Sequence, residues 1–224
     1  MDKKQKALLI TDALEKEYPG AACSLNSADA LQLLIATRLS AQCTDARVNM
    51  VTPELFSTYP DVQAFAEANP EDVGRIIHSC GFYVTKSRDI VNMCRMLLSD
   101  YGGRVPDTID ELIKLPGVGR KTANLIVGDI YGKPSVVADT HCIRITNLLG
   151  LTDSKDPLKV ETELRAILDP ERSGLFCHRL VLHGRAVCVA RRPACSRCCL
   201  SRWCDYARSL LPEGKKATSG AKGS

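Results

Sequence analysis

The chain has 224 residues, room for one large domain or two small ones, and its 45% hydrophobic content can supply a sizeable core. With 30 basic and 26 acidic residues the formal charge is only +4, which suits a nucleic-acid partner solely where the charge is clustered. No stretch approaches the roughly 18 uninterrupted apolar residues of a membrane span, and 11 cysteines, an odd number, argue against a disulfide framework and for a reducing, cytosolic setting.

In chain order, "MDKKQKALLITDALEKEY" has Ala7, Ile10, Leu14 and Tyr18 on one helical face, with acids soon after and no small-residue cleavage site. It reads as an amphipathic helix and not as a signal peptide. "NSADALQLLIATRLSAQC" carries Leu31, Leu34, Ile35 and Leu39 at helical spacing. Pro53 interrupts the helical stretch after Thr44, so a kink or a new start is expected there. "NPEDVGRIIHSCG" has Asn69 as a cap, Pro70 in the first turn and Gly81 past the end. "TKSRDIVNMCRMLLSDYGG" aligns Ile90, Cys94 and Leu97. Thr108 and Glu111 have capping-box spacing, and Asp156 with Pro157 opens "DPLKVETELRAIL". "SGLFCHRLVLHGRAVC" is a last long helix. The tail from Pro212, rich in Gly, Ser and Lys, is expected to be disordered. About ten helices and no alternating strand make the class all-α.

"ELIKLPGVGRKTANLIV" is the first stretch that suggests chemistry. Pro116 stops one helix, and Gly117 and Gly119 permit positive φ and close backbone approach on either side of Val118. The turn amides and the start of the next helix can face an anion such as a DNA phosphate. Arg120 and Lys121 follow at the end of the helix that already carries positive dipole charge, where stability alone disfavours them. The helix N-terminus and the adjacent Arg120 both disfavour an ammonium, the condition that makes lysine a nucleophile toward an electrophilic carbon. The plainer reading is that Lys121 contacts phosphate; the sequence leaves both open.

"VVADTHCIR" offers Asp139 and His141 at the start of another apolar helix. Asp139 is either a simple N-cap or a carboxylate acting near Lys121 across a short gap, through one water, to help remove a proton and stabilise a sugar cation. His141 either orients the loop or is a satisfied polar group in the first turn.

"CVARRPACSRCCLSRWC" supplies Cys188, Cys195, Cys198 and Cys204 in C-x6-C-x2-C-x5-C spacing. Four thiolates so close signal a metal site, without separating zinc from a [4Fe-4S] cluster. Cys199 is read as a spectator, because Cys198 preserves the x2 and x5 intervals. Six arginines between Arg185 and Arg208 face one acid, Asp205. A metal-shaped loop would present them to a phosphate backbone.

With "LSAQCTD" and "GFYVTKS", these motifs resemble, in order and over roughly Lys4 to Asp205, the endonuclease III family of DNA glycosylases. The resemblance implies a two-lobed helix-hairpin-helix fold. One lobe would be a six-helix barrel over 22–133, with the hairpin at about 108–131. The other would combine 1–21 with 134–211 and hold a [4Fe-4S] cluster at 188–204, leaving 212–224 as the tail. Lys121 and Asp139 would come from different lobes and face one cleft. The resemblance further implies a monomer acting in the cytoplasm, on the nucleoid in a bacterium, on double-stranded DNA carrying a damaged base or an abasic site. It would remove oxidised pyrimidines such as thymine glycol through a Lys121 Schiff base and nick the abasic site by β-elimination. Gln42 and Phe82 would fill the gap left by the flipped nucleotide, Phe82 standing where leucine is expected; their plain alternatives are a helix-terminal polar residue and a core aromatic. Gly117, Val118, Gly119, Arg120 and His141 would contact DNA.

Two rivals remain. An adenine-specific mismatch glycosylase would need a catalytic glutamate where Ala36 stands, and no acid lies between Leu31 and Thr44. A non-catalytic iron-sulfur DNA-binding protein would have no use for Lys121 paired with Asp139.

Overall fold

The structure, a computed structural model, describes residues 1–210, so the tail expected from Pro212 lies outside the described residues. Among the described residues there are helices and turns but no strand. They divide into two compact units: Met1–Ala22 with the chain from Val136 onward, and Cys23–Ser135.

The central unit contains α2 (Ala30–Ser40), α3 (Asp45–Thr58), α4 (Val62–Glu67), α5 (Pro70–Ile76), α6 (Tyr83–Tyr101), α7 (Ile109–Leu112) and α8 (Arg120–Asp129). Helices α4 and α5 pack on α6, while α2 packs on α3 and α8. Leu34, Ile35, Leu39, Phe65, Ile90, Cys94 and Leu97 are fully buried, so the apolar stripes of α2 and α6 form the core. Asn69 caps α5 by accepting from the Glu71 N–H at 3.0 Å, with Pro70 in the first turn. That helix ends at Ile76, earlier than its periodicity suggests, and a 3-10 turn (His78–Cys80) carries the chain to Gly81. α3 runs through Pro53 as one helix, so of the two outcomes expected there the new start does not occur. The capping box at Thr108 forms only by half. Its hydroxyl accepts from Glu111 N–H at 3.4 Å, but the Glu111 carboxylate turns to Lys114 and Tyr101, each at 2.7 Å.

The other unit contains α1 (Lys3–Glu17), α9 (Thr140–Leu149), α10 (Pro157–Ile167), α11 (Ser173–Ala186) and α12 (Asp205–Ser209). α11 packs on α1 and α9. Ala7, Ile10 and Leu14 on α1 are fully buried, as are Phe176 and Leu180 on α11. Asp156 caps α10, accepting from Lys159 N–H at 2.9 Å. Two 3-10 turns, Cys195–Arg197 and Ser201–Trp203, fold the cysteine-rich segment ahead of α12. Among the described residues no helix is long and apolar enough to cross a membrane.

Candidate functional site

The hairpin between α7 and α8 is tight. Val118 N–H bonds the Leu115 carbonyl at 3.1 Å, and Gly117 has φ +74°. Glycine is required there twice over. A side chain would be strained at that φ, and a Cβ would stand 2.7 Å from Arg38 Nε and 2.9 Å from Asp89 Oδ2. The turn thus rests on an ion pair. Arg38 at the end of α2 donates to Asp89 Oδ2 on α6 from Nε at 2.9 Å and Nη2 at 2.6 Å. Gly119 caps α8 without a side-chain hydrogen bond, and a helix N-terminus of this kind suits an anion. Val118 is buried, whereas Gly119, Arg120 and Lys121 are exposed. Among the described residues no ion pair engages the Lys121 amine.

Gln42 and Phe82 share an uncommon property. They are the two non-glycine residues with positive φ, +54° and +49°, among the described residues. Such strain persists only where the surroundings impose it, and it concentrates at functional sites. Gln42 lies beyond the end of α2 and is exposed. Phe82 precedes α6 and is 66% exposed, which excludes the core-aromatic alternative.

Asp139 is half-buried and caps α9, its Oδ1 accepting from Cys142 N–H at 2.7 Å. His141 lies in the first turn of α9 with its ring against Gly184 of α11, where any Cβ would collide with it. The ring is held by the helix packing of its own unit.

The cysteine segment is braced from α9 and α11. Arg144 donates to the Cys188 carbonyl at 2.6 Å and approaches the Cys188 sulfur at 3.5 Å. His183 lies 3.3 Å from Cys198 Sγ and 3.0 Å from the Tyr18 hydroxyl; burial and the Arg144 charge hold its imidazole down at about 4. Burial pushes the Cys198 thiol up to about 11, aided by the Cys199, Cys188 and Cys204 sulfurs. Burial likewise raises Cys204, with Cys188 and Cys195 contributing. Cys188, Cys195 and Cys198 are half-buried and Cys204 is buried, within 17 residues of one another along the chain. Four thiolates are a donor set chemically suited to an iron-sulfur centre. Burial raises the Cys199 thiol, with the Glu17 carboxylate of α1 adding to the shift. Among the described residues no three metal-binding side chains are grouped as for a single ion. A [4Fe-4S] cluster does not need such a group, since each thiolate binds its own iron.

The arginines at 185, 191, 192, 197, 202 and 208 are all exposed. Arg202 stacks on Trp203 at 4.6 Å, Arg197 donates to the Ala186 carbonyl at 2.8 Å, and Arg208 pairs with Asp205. Sequence reasoning missed Arg38, Asp89, Lys86 and Arg144. Each acts through a partner distant in sequence or through a backbone carbonyl, and neither leaves a local signature.

Residues 35–170 match the family model described as HhH-GPD superfamily base excision DNA repair protein. The chain is 44% identical to endonuclease III of Synechocystis over 92% of its length and 95% of that protein. It is 37% identical to endonuclease III of Escherichia coli K12 over 91% of its length and 96% of that protein. A solved structure of a trapped endonuclease III–DNA covalent intermediate, in an estranged-adenine complex, superimposes with a TM-score of 0.87 at 40% identity. The match covers 93% of this chain and 99% of the other.

Proposed function

The chain belongs to the endonuclease III family of base excision repair proteins, and from that premise we propose which of its residues perform each step. Members of this family are bifunctional, and the chain is a DNA glycosylase and AP lyase acting on double-stranded DNA with a damaged base or an abasic site. Oxidised pyrimidines of the thymine glycol type are its substrates, and it works in the cytoplasm, on the chromosome.

Lys121 is the nucleophile. Its exposed position at an uncapped helix start supports this reading, as does the absence of an ion pair on its amine among the described residues. The neutral amine attacks C1′ of a nucleotide flipped out of the stack. The glycosidic bond breaks, and the base leaves with the electron pair and takes a proton. Opening of the sugar C1′–O4′ bond, with O4′ keeping the electron pair and taking a proton, gives the iminium. That iminium acidifies C2′–H; removal of this proton expels the 3′ phosphate as the C3′–O bond breaks, and water then frees the amine. Asp139 accepts the Lys121 proton through a water and stabilises the positive charge that develops on the sugar. The reading requires both groups to reach one nucleotide.

The helix start at Gly119 and Arg120, with the Arg120 side chain, binds a phosphate of the damaged strand, and the buried Val118 and the constrained Gly117 hold the turn. His141 fixes the start of α9 that presents Asp139 to the DNA. Gln42 and Phe82 enter the duplex where the nucleotide leaves; their imposed backbone strain is the supporting observation. Cys188, Cys195, Cys198 and Cys204 hold a [4Fe-4S] cluster, and Cys199 stays outside it. When bound, the cluster would cross-link the four thiolates and lend rigidity to the arginine-bearing loop, and no redox step is needed.

The observation that carries this reading is Lys121 standing exposed at the α8 start beside the Gly117 turn, in a chain similar along its length to a protein trapped covalently on DNA. The test is borohydride trapping on duplex DNA with one abasic site. The wild type forms a covalent adduct, and Lys121→Ala forms none while still binding. An adduct of undiminished yield in Lys121→Ala refutes the assignment.

A further inference from the structure

Lys86 lies in the first turn of α6 and is only 1% exposed. Its ammonium makes no ion pair among the described residues. It donates instead to two backbone carbonyls, Leu39 at 2.7 Å and Cys80 at 2.9 Å. Both acceptors stand at element ends: Leu39 in the last turn of α2, and Cys80 at the end of the 3-10 turn before Gly81. Terminal carbonyls lack internal donors and carry the negative end of the helix dipole, so a cation suits them. Gln42 follows Leu39 by three residues, and Phe82 follows Cys80 by two. One buried side chain therefore ties together the roots of both strained loops. A buried ammonium is costly, and burial pushes this one below its ordinary value, with the Cys43 and Cys80 sulfurs opposing the shift. An apolar side chain would fill the space at lower cost, but it could not bond two carbonyls.

We propose that Lys86 is a positioning residue for duplex opening, a clamp that holds the Gln42 and Phe82 loops at a fixed mutual spacing so that both side chains enter the gap of one flipped nucleotide. This rests on the reading of Gln42 and Phe82 as the inserted residues. The clamp does not touch DNA. Its effect is confined to substrates in which a nucleotide must leave a stacked duplex. Single-stranded DNA needs no such step, and there Lys121 chemistry proceeds without the inserted pair.

The experiment compares wild type, Lys86→Met, Gln42→Ala and Phe82→Ala on two DNAs: a duplex with one thymine glycol, and a single strand with one abasic site. For Lys86→Met, kcat for base excision from the duplex should fall about tenfold to a hundredfold, the range expected of a small misplacement. Cleavage of the single strand should stay within about twofold of wild type, since no loop has to enter a stack. Equal loss on both DNAs, or no loss on the duplex, overturns the clamp. If Gln42→Ala and Phe82→Ala both excise normally, the insertion reading is what fails.

Hydrogen exchange decides the clamp separately, including the case in which Lys86→Met does not fold. The Cys43 amide bonds Ser40 and the Gly81 amide bonds His78, one reporter in each loop. In Lys86→Arg, which keeps the charge but changes the length of the clamp, both amides should exchange faster together. Acceleration of one alone, or of neither, overturns the clamp.

Discussion

Arg38 and Asp89 meet through two nitrogens and a single carboxylate oxygen, at 2.9 and 2.6 Å, directly against Gly117. The pair joins the end of α2 to α6 and leaves the hairpin turn no room for a side chain. Gly117→Ala must therefore accept a left-handed conformation and also displace the pair. The conformational cost alone is about 1 to 2 kcal/mol. With a partial loss of the ion pair, about 2 kcal/mol in total should lower Tm by about 4 to 8 °C in a chain of this size. Because the same turn carries Lys121, the rate of borohydride trapping should fall more steeply than stability does. Thermal melts and single-turnover trapping on one preparation check both; unchanged trapping in a destabilised variant would detach the turn from the chemistry.

Asp139 has two separable duties, and two substitutions divide them. Its carboxylate caps α9 at 2.7 Å from Cys142 N. Asparagine can still accept that bond, so Asp139→Asn should change stability by less than about 0.5 kcal/mol. It removes the charge and the proton acceptor, and base excision should drop by about 100-fold or more, the usual worth of a positioned general base. Asp139→Ala should lose the same activity and also about 1 kcal/mol of stability with the cap. Denaturant melts and excision rates give the four values. A fully active Asn variant would reduce Asp139 to a cap.

The [4Fe-4S] assignment makes a prediction about order. Burial raises the Cys198 and Cys204 thiols, and apart from two short 3-10 turns the 188–204 segment is held by a few hydrogen bonds, among them those from Arg144 and Arg197. Oxidative removal of the iron under a chelator should bleach the visible absorbance and expose this segment to protease, while hydrogen exchange in 23–135 stays as it was. Cleavage mapping by mass spectrometry reads the outcome. Cys199→Ser should retain full iron content, and Cys198→Ser should not.

Arg191 and Arg192 are exposed within that segment, and each phosphate contact releases condensed counterions. The double replacement Arg191→Ala with Arg192→Ala should reduce the slope of log K against log salt by about 1.8, at about 0.9 per contact. Affinity should fall alike for damaged and undamaged duplexes, because phosphates carry no base identity. Binding isotherms at several salt concentrations test this, and a slope identical to wild type would remove these arginines from the DNA contact.

How far the sequence could be read depended on how local the signal was. Asn69–Pro70 and Asp156–Pro157 set their helix starts within a few residues, and both caps form. The Gly117 turn was legible for the same reason. Pro53 brings no new start because a proline's penalty is local but α3 is held by its buried residues Val48, Val51 and Leu55 on either side. The α4 helix was passed over although Asp61 caps it and Phe65 is fully buried; its single turn and a half gave too short a period to notice. Residues that brace the site were out of reach altogether. Arg38 finds Asp89 51 positions away, and Arg144 finds Cys188 44 positions away. No pattern in one sequence announces such pairings.

The strain at Gln42 and Phe82 predicts opposite signs for stability and activity. At φ +54° and +49° a side chain opposes the backbone, and glycine would not. Phe82 is 66% exposed and Gln42 is exposed, so neither substitution empties the core. Glycine also loosens the unfolded chain, which offsets part of the relief. The balance should leave Gln42→Gly and Phe82→Gly as stable as wild type or more stable by up to about 1 kcal/mol, the size of the relieved left-handed strain. Both should excise a damaged base from a duplex more slowly, since nothing then fills the vacated stack. A 2-aminopurine placed opposite the lesion reports the difference: it should brighten less on binding when the inserted side chain is gone. Melting curves and that fluorescence together decide the matter. Lower stability with undiminished flipping would mean the strain serves the fold and not the DNA.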